Sequence, residues 1–211
     1  MAPDLRKHAH WVLESLEAAY PDAHCALNYR NAFELLIATI LSAQCTDVRV
    51  NQVTAGLFAR YRTPADFAAA EREALEQAIR PTGFFRNKAE SIQAAARQIV
   101  SQHGGEVPRS MAELTALKGV GRKTASVVMG NAFGTVDGIV VDTHVARLSG
   151  RLGLSRQQQP EKIEKDLMAL IPRQAWIQFP HLMIAHGREV CKARKPNCRS
   201  CPLRSRCPGV E

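Results

Sequence analysis

Apolar residues recur along almost the whole chain at intervals of three and four positions, the spacing that places them on one face of an α-helix. The pattern predicts a first helix that ends before Pro21. It also predicts longer helices over residues 33–43, 48–61, 87–103, 122–132, 145–152, 161–170 and 175–191. Shorter helices are predicted after Thr63, which can cap a helix beginning with Pro64, and after Ser110. Only residues 138–141 carry a pattern that could form a strand. The sequence therefore predicts an all-α protein.

Length and composition narrow the class of protein. The chain has 211 residues, of which 45% are hydrophobic and 23% are charged, and this is enough to bury a core in one domain or two small ones. The longest nearly uninterrupted apolar stretch, residues 35–41, is far shorter than the roughly 20 residues that cross a bilayer. The first residues lack the apolar segment of a secretory signal. We therefore expect no membrane association and a reducing, cytoplasmic environment.

The charge balance points to a polyanionic partner. Lys and Arg number 28 against 20 Asp and Glu, which gives a net charge of +8. Such an excess is typical of nucleic-acid-binding proteins, although a basic protein without that partner can show the same balance. The excess is locally strong in residues 188–211, which hold seven Lys or Arg and two Glu.

Four of the six cysteines lie close together near the end of the sequence, at Cys191, Cys198, Cys201 and Cys207. In a reducing compartment, clustered thiols indicate metal ligands rather than disulfides. Zinc and an iron–sulfur cluster are both compatible with four cysteines. Only one pair, however, has the close C-x2-C spacing that is usual for zinc, so the wide flanking intervals favour the cluster.

Residues 111–130 indicate two short helices joined by the turn Lys118-Gly119-Val120-Gly121. Glycines permit unusual backbone angles and let a phosphate approach closely. A helix that begins at Arg122 adds unpaired N–H groups and a positive dipole end. The segment therefore predicts a clamp for a nucleic-acid backbone that positions the protein without reading bases. An ordinary helical hairpin would have the same glycines.

This hairpin resembles the helix-hairpin-helix of the endonuclease III family of DNA glycosylases. Residues 141–145, Val-Asp-Thr-His-Val, are similar to the aspartate motif of that family, and the spacing of the four cysteines is that of its iron–sulfur centre. Segments 41–44, 46–48, 82–83 and 88–90 also resemble family positions. The resemblance covers roughly residues 10–207.

The resemblance implies an all-α, two-lobed helix-hairpin-helix glycosylase fold with a central DNA-binding cleft. One lobe is expected to be a helical barrel domain of residues 25–135 that contains the hairpin. The other is expected to combine residues 1–24 with residues 136–211 and to carry the loop of a [4Fe–4S] cluster.

The resemblance also implies a bifunctional enzyme of base excision repair. Its N-glycosylase activity would remove oxidised or ring-saturated pyrimidines from double-stranded DNA. Its lyase activity would cut the resulting abasic site by β-elimination through a lysine Schiff base. We expect a monomer, associated with the nucleoid in the cytoplasm of a bacterium.

Lys123 and Asp142 are the predicted catalytic residues. A lysine attacks carbon only as a neutral amine, and burial against the hairpin, Arg122 and a helix N-terminus would favour that form, whereas bound phosphates would oppose it. The alternative role for Lys123 is a simple phosphate contact. Asp142 is predicted to stabilise positive charge on the sugar and to assist proton transfer. A purely structural helix cap is the alternative for this residue.

A glycosylase must move its target nucleotide out of the base stack, so other residues must fill the gap. By resemblance, Gln44 enters the gap from one side and faces the orphaned partner base. Phe84 occupies the wedge position of the family, with Phe85 as a rival for the same role. Lys88 and His144 are also assigned to DNA contacts, although His144 could equally help to cap its helix.

The sequence departs from the family pattern at two places. Lys118 stands where many members have proline before the Gly-Val-Gly turn, and it is expected to present one more cation to the DNA backbone. The connection from Gly134 to Asp142, which contains Asp137-Gly138, is about one residue longer than usual. This difference is expected to affect the edge of the base pocket and the choice of lesion.

Two other functions fit parts of the pattern. An adenine-removing mismatch glycosylase would share the fold and the cluster, but such proteins generally lack the hairpin lysine and carry glutamate around Ile40. A noncatalytic DNA-binding or redox-sensing protein would share the cluster, but it would have no need for Lys123 together with Asp142.

Overall fold

The computed structural model describes residues 3–210, and within that range it contains eleven α-helices and no strand. The helices are α1 (Pro3–Ala19), α2 (Ala32–Ser42), α3 (Asp47–Arg60), α4 (Pro64–Ala69), α5 (Arg72–Ile79), α6 (Phe85–Gln102), α7 (Met111–Ala116), α8 (Arg122–Phe133), α9 (Thr143–Arg151), α10 (Pro160–Leu170) and α11 (Gln178–Glu189). The prediction of an all-α protein is confirmed. Residues 138–141, the one candidate strand, are irregular.

The first turns of several helices follow from short polar signals in the sequence. Asn31, Thr46 and Ser110 accept the backbone N–H of the residue three positions later. Thr63 forms a full capping box with Asp66, whose carboxylate accepts the Thr63 N–H at 2.9 Å. Each such cap stabilises its helix by about 1 kcal/mol. The predicted helix starts at Thr63 and Ser110 are confirmed.

The chain divides into two compact units, one of which is Cys25–Thr135. Its centre is α2, which packs against α3, α6 and α8. Leu35, Leu36, Ile37 and Leu41 of α2 are inaccessible to solvent. A helix that is apolar on nearly all sides has to be covered on all sides, and this explains why α2 organises the core of the unit.

The other unit comprises the chain up to His24 together with the chain from Val136 onward. Its core is formed by α1, α9, α10 and α11, and it includes the fully buried Leu16, Phe179 and Leu182. Leu203, in the segment after α11, is also fully buried in this core. It anchors the cysteine-containing segment to the helices.

Among residues 3–210, no helix has both the length and the apolar character that crossing a membrane requires.

Candidate functional site

The hairpin between α7 and α8 is held by a glycine that the packing requires. Gly119 has φ of +80°, in the left-handed region. A Cβ built on this residue would lie 2.5 Å from the Cβ of Ser91 on α6. Both the backbone angle and the close approach therefore require glycine at this position.

Gly121 serves a different purpose. Its φ of −86° is accessible to any residue, so the sequence-based expectation of an unusual backbone angle is wrong at this position. A Cβ here would meet no atom within 4 Å. Since no side chain caps α8, the N–H groups of its first turn face an open space that suits an anion.

Val120 and Lys118 fasten the turn to the protein. Val120 is buried and its N–H donates to the carbonyl of Leu117 at 3.1 Å, so neither its side chain nor its N–H is available for the DNA contact that we predicted. The Lys118 ammonium pairs with Glu90 rather than standing as an additional free cation. The Lys118 N–H also donates to Gln98 Oε1 at 3.0 Å, a bond that proline could not form.

Lys123 is the second residue of α8, immediately beyond this open space. Its side chain is exposed, which contradicts the expectation that it is buried against the hairpin. Within residues 3–210 its ammonium forms no hydrogen bond or ion pair. The described residues therefore leave this side chain exposed and able to reach a ligand.

Asp142 is the N-cap of α9, as predicted. Its Oδ1 accepts the N–H groups of His144 at 2.9 Å and Val145 at 2.8 Å. Its Oδ2 lies 3.0 Å from Nδ1 of His144. Three donors therefore fix the carboxylate, and the structure favours the capping role of His144 over a free side chain.

Two exposed residues share a strained backbone. Gln44 and Phe84 have φ of 53° and 48°, and in the described part of the chain only Lys195 is another non-glycine residue with positive φ. Phe84 is 63% exposed, which is unusual for so large an apolar side chain. Strain of this kind concentrates at functional positions.

Phe85 is placed differently from Phe84. It is half-buried against the core of its unit, and the guanidinium of Arg80 lies 5.9 Å from its ring centre. Because Phe84 is the more exposed of the two residues, it is the better candidate for the wedge.

The structure corrects the direct DNA contact predicted for Lys88. This residue is only 6% exposed. Its Nζ donates to the carbonyl oxygens of Leu41 and Thr82, each at 2.8 Å. The ammonium cannot reach a phosphate without giving up both bonds.

Sequence reasoning missed several residues of this region. Val48, in the first turn of α3, is 69% exposed, and sequence reasoning gave it no role. Ser91 and Gln98 support the hairpin from α6, and no motif marks them. Their contacts join residues that lie 20 or more positions apart in sequence, where periodicity gives no signal.

The four clustered cysteines line one open pocket in the unit that contains α9 and α11. Two arginines of α9 hold the start of the cysteine-containing segment that follows α11. Arg147 donates to the carbonyl of Cys191 at 3.1 Å, and Arg151 donates to the carbonyl of Lys192 at 2.7 Å. Arg151 also lies 3.5 Å from the sulfur of Cys191.

His186 lies beneath the same pocket and is 1% exposed. Burial lowers its pKa to about 4, and burial raises the pKa of Tyr20 to about 12. The protonated hydroxyl of Tyr20 and Nδ1 of the neutral His186 ring share a hydrogen bond of 2.9 Å. Nε2 of His186 lies 3.6 Å from the sulfur of Cys201.

These residues fit a thiolate-bound group. Burial raises the pKa of Cys201 and Cys207, and the Arg151 guanidinium donates to the sulfur of Cys191. Within residues 3–210, no three His, Cys, Asp or Glu side chains converge closely enough to hold a single metal ion. Four cysteine sulfurs that line one pocket are nevertheless a ligand set for a thiolate-bound metal centre.

Comparison with known proteins agrees with these features. The family model described as "HhH-GPD superfamily base excision DNA repair protein" matches residues 37–173. The chain is 52% identical to endonuclease III of Synechocystis sp. over 98% of its own length and 94% of that protein. It is 46% identical to endonuclease III of Bacillus subtilis, with coverage of 95% and 92%.

Solved structures give the same result. A trapped endonuclease III–DNA covalent intermediate has a TM-score of 0.91 with this chain at 50% identity. The match covers 97% of this chain and 96% of that one. The chain therefore belongs to the endonuclease III family, the bifunctional DNA glycosylases and abasic-site lyases of the HhH-GPD superfamily of base excision DNA repair proteins.

Proposed function

We propose that this chain removes oxidised or ring-saturated pyrimidines from double-stranded DNA and then cuts the strand at the abasic site. The observation that carries the proposal is the placement of Lys123. Its amine is exposed, is without a partner among residues 3–210, and adjoins the uncapped N-terminus of α8. A phosphate bound at that N-terminus would hold the deoxyribose of the same strand close to the amine.

In the first step, the neutral amine of Lys123 attacks C1′ of the damaged nucleotide. The new C–N bond replaces the glycosidic bond, and the base leaves with the bonding electron pair and is protonated. Opening of the sugar ring, with a proton delivered to O4′, then gives a protonated Schiff base.

In the second step, the iminium draws electrons from the sugar, so a proton at C2′ becomes acidic. Loss of that proton expels the 3′ phosphate as the C3′–O bond breaks. Water then hydrolyses the Schiff base and returns the free amine of Lys123. The Lys123 amine is thus both the nucleophile and the electron sink of the reaction.

Asp142 supports the first step in this proposal. The departing base leaves positive charge on the sugar, and a fixed carboxylate stabilises that charge. Its three donors hold the carboxylate rigidly, which reduces the reorganisation needed when the charge develops. His144 acts through Asp142 by contacting its second oxygen.

Gln44 and Phe84 are proposed to fill the space that the flipped nucleotide leaves. Both are exposed, and both have backbone angles that turn the side chain out of a regular helix. Phe84 supplies an apolar surface for stacking, and the amide of Gln44 can pair with the orphaned base. Arg122 and the N–H groups near Gly119 and Gly121 are proposed to hold the backbone.

We also propose that Cys191, Cys198, Cys201 and Cys207 hold a [4Fe–4S] cluster, as is known for the family. When bound, the cluster would hold the basic loop around these cysteines rigid for DNA binding, and it would take no part in bond cleavage. Buried Leu203 and the contacts from Arg147 and Arg151 hold this loop to α9 and α11. The protein is proposed to act as a monomer beside the nucleoid in a bacterial cytoplasm.

Borohydride trapping tests the enzymatic proposal. The substrate is a duplex with one oxidised pyrimidine, and reduction of the Schiff base should give a covalent protein–DNA adduct. Lys123→Ala should lower adduct formation by about 10³-fold or more, since it removes the nucleophile. Lys118→Ala is the matched control, because Lys118 is also an exposed hairpin lysine, and this variant should form the adduct.

Equal trapping by the wild-type chain and Lys123→Ala would contradict the proposed nucleophile. Binding to the duplex with no adduct at all would support a noncatalytic DNA-binding protein instead.

Metal analysis tests the cofactor. Protein purified without oxygen should contain four iron and four acid-labile sulfide atoms per chain, and Cys201→Ser should lose them. Cys45→Ser is the control, because Cys45 lies outside the cluster of four cysteines. One zinc per chain and no sulfide would contradict the proposal.

A further inference from the structure

The segments that carry Gln44 and Phe84 are tied together by one buried side chain. Lys88 Nζ donates to the Leu41 carbonyl, three residues before Gln44, and to the Thr82 carbonyl, two residues before Phe84. Each bond measures 2.8 Å. The two segments are 40 positions apart in sequence, so such a side-chain bridge can fix them relative to each other.

The backbone of Lys88 reinforces this arrangement. Its N–H donates to the carbonyl of Phe84 at 3.0 Å, which closes the first turn of α6. Lys88 therefore holds the Phe84 segment at two points, through its own backbone and through the Thr82 carbonyl. Between those points lie Gly83 and Phe84, both with positive φ.

The Leu41 bond acts in the same way on the other segment. Leu41 belongs to the last turn of α2, where carbonyl groups have no partner within the helix. A cation at this position donates a hydrogen bond to one of these carbonyls, and it interacts favourably with the negative end of the helix dipole. The chain then leaves α2 and adopts the left-handed angle at Gln44.

An amine at this buried position is costly unless its hydrogen bonds are used. Burial lowers the pKa of Lys88, an effect that the nearby Cys45 opposes. An apolar side chain of similar length could fill the same volume without that cost. The two carbonyl bonds are what an apolar side chain could not provide.

We propose that Lys88 is a positioning residue that couples the two DNA-inserting segments, so that Gln44 and Phe84 enter the base stack as one rigid unit. This inference rests on the proposed function, because it takes Gln44 and Phe84 to be the inserting residues. Lys88 itself touches no DNA. Its effect should therefore appear in nucleotide flipping and not in the chemistry at the sugar.

The test compares Lys88→Met with Gln93→Met. Gln93 is the matched control, since it is also buried on α6 and donates to a backbone carbonyl, that of Ala70, at 2.7 Å. That carbonyl belongs to the connection between α4 and α5, which carries no proposed inserting residue. Each variant removes two side-chain hydrogen bonds from the same helix, since Gln93 Oε1 also accepts from Arg72 at 3.1 Å.

Two substrates separate flipping from chemistry. A duplex with 2-aminopurine opposite an abasic-site analogue reports unstacking by fluorescence, and single-stranded abasic DNA undergoes Schiff-base trapping with no base pair to open. Lys88→Met should lower the flipping equilibrium about 5- to 30-fold, as expected for losing one or two hydrogen bonds. Its trapping rate on saturating single-stranded DNA should stay within about twofold of wild type. Gln93→Met should be close to wild type in both assays.

Lys88→Arg adds a rescue arm, because a guanidinium can donate to both carbonyls, and it should recover part of the flipping. Equal behaviour of Lys88→Met and Gln93→Met, or an equal loss on both substrates, would overturn the inference. If Lys88→Met does not fold, failure of Lys88→Arg to keep flipping above that of a Phe84→Ala variant would also overturn it. Failure of the wild-type chain to trap single-stranded abasic DNA would instead reject the proposed function.

Discussion

The N-termini of α8 and α9 are built in opposite ways. α8 follows Gly121, which offers no side chain as a cap and leaves open space where a Cβ would stand. α9 follows Asp142, whose carboxylate accepts two N–H groups of the first turn and also meets the ring of His144. Both helix ends have the same unpaired donors and the same positive dipole end. The cap residue therefore decides whether those donors remain for an external anion or hold an internal carboxylate.

The capped terminus is tested by separating the charge of Asp142 from its hydrogen bonds. Asparagine caps a helix about as well as aspartate, so Asp142→Asn should change the free energy of unfolding by less than about 0.5 kcal/mol. The rate of base release should fall about 10²- to 10³-fold, because the stabilising negative charge is gone. Single-turnover base release and urea unfolding measure the two effects.

Asp142→Ala is the companion variant, and it should lose the same activity and about 1 kcal/mol of stability as well. Wild-type base release by Asp142→Asn would show that the aspartate is only a cap.

A capping side chain at position 121 tests the role of the open N-terminus of α8. Gly121→Asp places a carboxylate where α9 has one, and the φ of −86° permits it. The free energy of unfolding should stay constant or rise by roughly a few tenths of a kcal/mol, because aspartate is a slightly better cap than glycine. Affinity for a duplex with an uncleavable abasic-site analogue should fall about tenfold or more, because the carboxylate takes the donors and repels phosphate. Fluorescence anisotropy at fixed salt measures this affinity.

Gly121→Ser caps without adding charge and should show a smaller loss. Undiminished binding by both variants would mean that the α8 terminus holds no phosphate.

Gly119 differs from Gly121 because it packs against another helix of the protein. Gly119→Ala forces a Cβ to within 2.5 Å of the Ser91 Cβ at a φ of +80°. It should lower the free energy of unfolding by about 1–3 kcal/mol. Urea unfolding of Gly119→Ala, Ser91→Gly and the double variant forms a mutant cycle, which should show a favourable coupling as the contact is relieved. Additive effects would contradict the packing role.

Much of the fold follows from local signals that the sequence carries. Thr63, Ser110 and Asp142 cap helices at the predicted positions, and the apolar segment that becomes α2 is buried as expected. These features depend on neighbours within one or two helical turns. Periodicity and capping chemistry therefore suffice to predict them.

The environments of two lysines could not be predicted in this way. Lys123 is exposed where burial was expected, and Lys88 is buried where a DNA contact was expected. Each lies near the start of a helix after a glycine-containing turn, so local sequence does not distinguish them. The difference comes from the partner surface, since Lys88 meets a carbonyl 47 positions away on α2.

The turn itself shows the same limit. Its two glycines are alike in sequence, yet only Gly119 has a positive φ, while Gly121 keeps space open. Ser91 on α6 packs closely against Gly119 and not against Gly121, and no motif marks a serine as a packing partner. Contacts between elements, rather than signals within them, determine which residues support the site.

Identifying the residue that carries the reduced adduct tests the central claim most directly. The wild-type chain is reduced with borohydride on an abasic duplex, digested, and analysed by tandem mass spectrometry. The account predicts that the deoxyribose remnant is on the side chain of Lys123, in the first turn of α8. A remnant on Lys118, on Lys88 or on the terminal amine would contradict it.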